Sequence, residues 1–119
     1  ASDAETLHAL KYFEVAGKVS TTADNLMDAV AGETHEYKEM YPDFVKEAEA
    51  EGNKAALMSF TFAMKAEEVH AKLYKEALEN LDQTEEVFYY LCPICGNIEK
   101  VRPDKCSICG VPGDKFIKY

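Results

Sequence analysis

No apolar run in this chain approaches the ~20 residues of a membrane-spanning helix, and no secretory signal is visible at its start. There is no basic patch: 13 Lys and Arg stand against 22 Asp and Glu, a net charge of −9. That balance argues against nucleic acid or an anionic membrane surface as a partner. No cysteine is left over either. The four fall into two pairs, Cys92/Cys95 and Cys106/Cys109. Without a secretory signal, such pairs read as a metal site in a reducing compartment, the cytoplasm, and not as disulfides. An initiator Met is also lacking, and the first residues run straight into a helical motif, as a processed or separate piece would.

Long helical periodicity is what the chain does have. At 119 residues and 47% apolar content it can form one modest core and a small satellite. Phe60, Ala63, Met64, Glu67, His70, Ala71, Tyr74 and Leu78 follow each other at three- and four-residue steps, so they share one helix face. The face is apolar on both sides of Glu67 and His70, which therefore point inward. An unpaired carboxylate there would cost several kcal/mol or take up a proton. One cation held by both side chains removes that cost. Glu-x-x-His facing a bundle core is a ligand pattern of di-iron and di-manganese carboxylate proteins.

A single copy of so short a motif is weak, since a rim Glu beside a satisfied core His explains it as well. This chain repeats the spacing in Glu5-x-x-His8. It also has Glu33-x-x-Glu36, on a helix whose stripe reads Leu26, Val30, Glu33, Tyr37, Met40 and Phe44. Three helices thus offer two ligand-type side chains each, and together they make a strong signal. His35 lies about 200° round the helix from Glu33 and reads as a surface residue. Tyr12, four residues after His8, reads as core packing.

The pattern predicts a first helix over Ser2–Val15, closed by Gly17. A second runs from a cap at Thr21 or Thr22 to about Glu51, bent at Pro42. A third runs from about Lys54 to Asp82, after a stop at Gly52-Asn53. Gln83 to Glu86 forms a polar linker. It divides a helical domain, residues 1–83, from a turn-rich domain, residues 84–119, that opens with strand-forming Val87-Phe88-Tyr89-Tyr90-Leu91 and holds every cysteine.

The cysteines lie in two half-motifs, Cys92-Pro93-Ile94-Cys95-Gly96 and Cys106-Ser107-Ile108-Cys109-Gly110. In each, the turn aims amide donors at the first sulfur, and the Gly relieves the crowded backbone after the second. Four thiolates make a tetrahedral site for iron or zinc. Aromatic residues packed around it (Phe88, Tyr89, Tyr90, Phe116 and Tyr119) favour an iron electron-transfer centre, which needs a dry shell. Zinc remains a possible substitute.

A helical carboxylate bundle followed by a Cys-Pro-x-Cys-Gly module resembles the rubrerythrins over the whole chain. Gly32-Glu33-Thr34-His35-Glu36-Tyr37, followed by Met40-Tyr41-Pro42, is similar to that family's third helix. The resemblance implies a mainly α fold: a ferritin-like four-helix bundle, three helices of which are in this chain, plus a small rubredoxin-like domain. It further implies an NAD(P)H-linked peroxidase of oxidative stress defence, reducing hydrogen peroxide to water. A redox donor protein would pass electrons through the four-cysteine iron to a di-iron centre. Carried over by motif, Glu5 and Glu67 bridge the two irons, Glu33 and His70 hold one, and Glu36 and His8 alternate on the other with redox state. Cys92, Cys95, Cys106 and Cys109 hold the single iron. The chain departs from the family in Ser107, where Pro is usual, and in a short ten-residue spacer between the half-motifs. Both bear on the redox potential. The first bundle helix, source of one more carboxylate, is expected on a separate peptide.

Chain lengths add an expectation about assembly. In a ferritin-like bundle the first two helices of this chain run parallel, so their connector must climb about 30 Å. Gly17 to Thr22 reaches about 21 Å at most. A domain-swapped homodimer follows, in which Glu5 and His8 of one chain meet Glu33, Glu36, Glu67 and His70 of the other. Two rival readings remain. One is a ferritin-like iron-oxidising or iron-handling protein with an accessory four-cysteine metal site; the other is an interaction module with a structural zinc. Storage needs no built-in electron donor, which argues against the first rival. Zinc without visible absorption would mark the second.

Overall fold

Helices account for most of the chain in the computed structural model, which describes residues 1–83 and 85–119. Thr84, inside the expected linker, lies outside the described residues. The helices are α1 (Ser2–Val15), α2 (Thr22–His35), α3 (Tyr41–Ala50) and α4 (Lys54–Glu79), with a π-helical segment over Glu36–Met40. Thr21 caps α2 by accepting the Asp24 amide at 3.2 Å, and Asn53 caps α4 by accepting the Ala56 amide at 3.1 Å. Gly17 and Gly52, with φ of 67° and 68°, let the chain turn left-handed after α1 and after α3.

The second helix departs from expectation. Its irregularity is the π segment just before Pro42 and not a bend at the proline. Across it the Tyr41 amide donates to the Glu36 carbonyl, five residues back. Pro42 has no N–H to donate, so it sits at the start of α3, where a helix tolerates it. The wide turn inserts one residue into the stripe and brings Tyr41 to the inner side, next to Phe44 and Phe60 at ring distances of 6.0 and 6.4 Å. The last long helix also stops earlier than the Asp82 expected. It ends at Glu79, where Asn80 leaves the helical conformation and its side chain bonds back to the Glu76 carbonyl.

α2 and α3 both pack on α4, and Ala48, Ala66 and Ala71 are buried. α1 stands apart. It touches no other element among the described residues, and none of its residues is buried. Its apolar side chains are bare, Leu10 to 59% and Phe13 to 56%. Tyr12, expected in a core, is exposed and stacked on His8 at 6.2 Å.

The C-terminal part is a three-stranded antiparallel sheet, ordered β2 (Ile98–Glu99), β1 (Tyr90–Leu91), β3 (Ile117–Lys118). Tyr90 pairs with Glu99 on one side and Lys118 on the other. Its core is Cys92, Cys106 and Phe116, with Tyr90, Ile108 and Val111 packed against them. The expected five-aromatic shell is therefore only partly present. Phe88 and Tyr119 are exposed, and Tyr89 and Tyr119 exchange backbone hydrogen bonds at the sheet edge. Their side chains face a groove towards the helices. The module rests on α4: Gly96 lies against Ala66, and Lys100 pairs with Glu76.

Candidate metal centres

Glu33 on α2 and Glu67 and His70 on α4 meet between the helices, with ligand atoms all within 4.8 Å of one another. The side chains of Glu67 and His70 are 16% and 17% exposed, and that of Glu33 is 19% exposed. The tautomer of His70 follows from its partners. Its Nε2 lies 2.9 Å from the Gly96 carbonyl, which can only accept, so Nε2 carries the proton. In a neutral ring Nδ1 is then a bare lone pair, 2.7 Å from Glu67 Oε2 and 3.5 Å from Glu33 Oε2. Acceptors facing acceptors need a proton or a cation between them. Two ligands bound at about 2.1 Å and a right angle sit about 3.0 Å apart, close to the spacing seen.

Two further observations fit a cation. Glu33 Oε2 is buried without a hydrogen-bond partner. Burial, reinforced by the Glu67 and Glu36 carboxylates against the opposing pull of His70, pushes the Glu33 carboxyl up to about 7. A dication would reverse that shift by favouring the charged form. Glu36 thus borders the cluster. So does Tyr41, whose phenol is raised by burial first and then by Glu67, Glu36 and Glu33. Helical periodicity passed over Tyr41 because it assumes a constant turn; the signal for it was Pro42.

Glu5 and His8 do not join this cluster within the chain. They sit one turn apart on α1, 3.5 Å from each other, with side chains 78% and 57% exposed. His35 points outward and pairs with Glu39 at 3.3 Å, as its position round the helix implies. A mostly apolar groove of about 570 Å³ leads to Glu33 and His70, walled by Leu26, Leu73 and Ala77 on one side and Leu91 and Ile98 on the other.

The second centre is the cysteine cluster. All four thiols are free, with Cys92 and Cys109 sulfurs 3.6 Å apart and Cys95 and Cys106 sulfurs 3.6 Å apart. A disulfide needs about 2.0 Å. Four sulfurs bound tetrahedrally at about 2.3 Å stand about 3.8 Å apart, so the thiols are spaced for a metal. The half-motifs share one backbone design. The Cys92 amide donates to the Asn97 carbonyl and the Cys106 amide to the Val111 carbonyl, each at 2.8 Å. Gly96 and Gly110 adopt φ of 79° and 76°, a conformation other residues rarely take. Burial pushes the Cys95 and Cys109 thiols up, whereas at Cys106 burial is outweighed by backbone hydrogen bonds from Cys109 and Ile108, which bring it down to about 7.

Comparison with known proteins places these features in one family. The family model described as Rubrerythrin matches residues 2–78. Nigerythrin of Nitratidesulfovibrio vulgaris is 43% identical over 96 residues, covering 80% of this chain and 48% of that protein. Rubrerythrin-2 of Clostridium acetobutylicum is 36% identical over 135 residues, covering 94% and 71% respectively. Among solved structures, the fully reduced, all-ferrous state of nigerythrin aligns with a TM-score of 0.81 and 40% identity over 85% of this chain and 50% of that one. The chain thus spans about half the length of nigerythrin.

Proposed function

Because the chain belongs to the rubrerythrin family, we propose that it reduces hydrogen peroxide to water at a di-iron carboxylate centre fed by a four-cysteine iron. The observation that carries this reading is a hydrogen bond joining the two donor clusters. His70, at the carboxylate cluster, donates through Nε2 to the carbonyl of Gly96, the residue after Cys95. A storage protein has no use for such a link. Bundle (residues 1–83) and cysteine module (residues 84–119) would be the two domains.

In this reading Glu33, Glu36, Glu67 and His70 of one chain hold the two irons together with Glu5 and His8 of a second copy. Two ferrous ions held there would supply the two electrons that, with two protons from solvent, take hydrogen peroxide to two waters. The protein's part is charge and geometry. The carboxylates offset the positive charge, and the Gly96 carbonyl keeps the proton on His70 Nε2, freeing Nδ1 to bind metal. Tyr41 keeps its phenol proton beside the cluster. Cys92, Cys95, Cys106 and Cys109 would hold the single iron, and electrons would arrive from a redox donor protein drawing on NAD(P)H.

The swapped arrangement is supported by α1, which carries Glu5, His8 and an apolar face but packs against no other element among the described residues. A further carboxylate-bearing helix would complete each bundle. The iron-handling alternative shares the same ligands, so the reactions must separate the two. With a reduced donor the protein should consume peroxide far faster than it consumes oxygen during ferrous uptake; the opposite order would favour iron handling. Glu67→Ala should lose di-iron binding and lower peroxide reduction at least about a hundredfold, measured by iron content and peroxide turnover. Wild-type turnover in that variant would remove the di-iron assignment.

A further inference from the structure

The two cysteine half-motifs repeat each other as Cys-x-Ile-Cys-Gly-x, and they differ at both variable places. The first has Pro93 and Asn97 where the second has Ser107 and Val111. The two polar members of these pairs touch: Asn97 Nδ2 is 3.3 Å from Ser107 Oγ. Asn97 is also 0% exposed, the one buried polar residue among those described. Its counterpart Val111 packs against the thiols as an apolar residue, which is what a dry shell calls for. Asn97 is therefore an exception at a place where the same backbone accepts Val.

Its partners fix its direction. Nδ2 lies 2.9 Å from Glu99 Oε1, 3.3 Å from Ser107 Oγ and 3.8 Å from Cys106 Sγ. Ser107 donates its own hydrogen to Glu99 at 3.1 Å, so its oxygen is left to accept from Asn97. Turning the amide over would set Oδ1 against a carboxylate, a hydroxyl oxygen and a thiolate. In the observed direction Oδ1 is buried with no partner. Such an orphan is destabilising, and it is offset by the donor end, whose two hydrogens are shared among Glu99, Ser107 and the sulfur. Among the described residues, Cys106 is the one cysteine of the four whose sulfur receives a side-chain donor other than another cysteine.

We propose that the Asn97 side chain, braced by Glu99 and Ser107, donates to Cys106 Sγ and raises the reduction potential of the single-iron centre. This rests on the reading of the cysteine cluster as an iron site. The couple is one electron, taken from an external one-electron donor protein. Ferric iron with four thiolates carries a net charge of −1, and the added electron makes it −2; no bond forms or breaks. A donor hydrogen bond to a ligand sulfur favours the state with more negative charge on that sulfur, which is the reduced one. Asn97 is thus a positioning residue acting on the potential without binding the metal.

The test is spectroelectrochemical titration of the iron-loaded chain and of Asn97→Val, which makes the first half-motif match the second. The variant should keep the red tetrathiolate absorption and shift the reduction equilibrium about tenfold towards the oxidised form, about 59 mV for one electron. Ser107→Ala removes one brace and leaves the donor on Cys106, so it should shift the equilibrium much less. A shift below twofold in Asn97→Val, with colour retained, overturns the proposal; absence of the colour in the wild-type chain would instead overturn the iron reading. Should Asn97→Val fail to load iron, the wild-type protein loaded with cadmium decides. NMR should show a coupling between the metal and the Asn97 amide protons through Cys106, and no coupling contradicts the hydrogen bond.

Discussion

Glu33 is costly to the chain unless a cation is present. Burial and the neighbouring Glu67 carboxylate raise its proton affinity from an ordinary 4.5 to about 7. The folded, metal-free chain then binds a proton that the unfolded chain releases between those values. Stability of the metal-free protein should therefore fall as pH rises from about 4.5 to about 7. Glu33→Gln removes that slope and should leave the metal-free protein more stable than wild type at pH 8 while weakening metal binding, a conflict typical of functional groups. Urea unfolding across pH, with iron removed, measures this. Equal slopes in both proteins would mean that Glu33 does not carry the strain. Glu36 sits at the edge of the cluster, and its role is different. If it alternates with His8 on one iron, Glu36→Ala should weaken metal retention in the oxidised state more than in the reduced one. Equal retention in both states would exclude the exchange.

The i, i+3 spacing of Glu33-x-x-Glu36 and Glu67-x-x-His70 was legible because an α-helix turns by a constant angle, so spacing alone places side chains on a face. The same assumption hid Tyr41. Where Pro42 denies the helix a donor, the chain widens to a π turn, and the face after it shifts by one residue. Asn97 was illegible for another reason: an Asn after Gly reads as a turn residue, and only its three neighbours in space show what its amide does. α1 presents the opposite case, with boundaries that match expectation at Ser2–Val15 but no partner element among the described residues. Its apolar face, with Leu7, Leu10 and Phe13, needs cover in solution. Phe13→Asp should weaken self-association at least tenfold in analytical ultracentrifugation while leaving the tetrathiolate colour intact. An unchanged assembly would show that α1 is not the contact.

At the scale of the molecule, two donor clusters of different chemistry are held in one chain by the contact of the cysteine module with α4. The ion pair of Lys100 with Glu76 and the hydrogen bond of His70 to Gly96 both cross it. Glu5 and His8 on α1, the proposed other half of the carboxylate site, are not brought to Glu33, Glu67 and His70, and the connector from Gly17 to Thr22 is too short to carry them there in a parallel bundle, about 21 Å against about 30 Å. We propose that one di-iron site is built from two chains. Mixing His8→Ala and Glu67→Ala tests it most directly. Each variant alone should be inactive, since every site lacks a ligand. Unfolded together and refolded in equal amounts, half of the dimers pair one variant with the other, and each of these has one site with both lesions and one with none. Peroxide reduction and di-iron content should then recover to about a quarter of wild type. A mixture as inactive as its parts would contradict the swapped site.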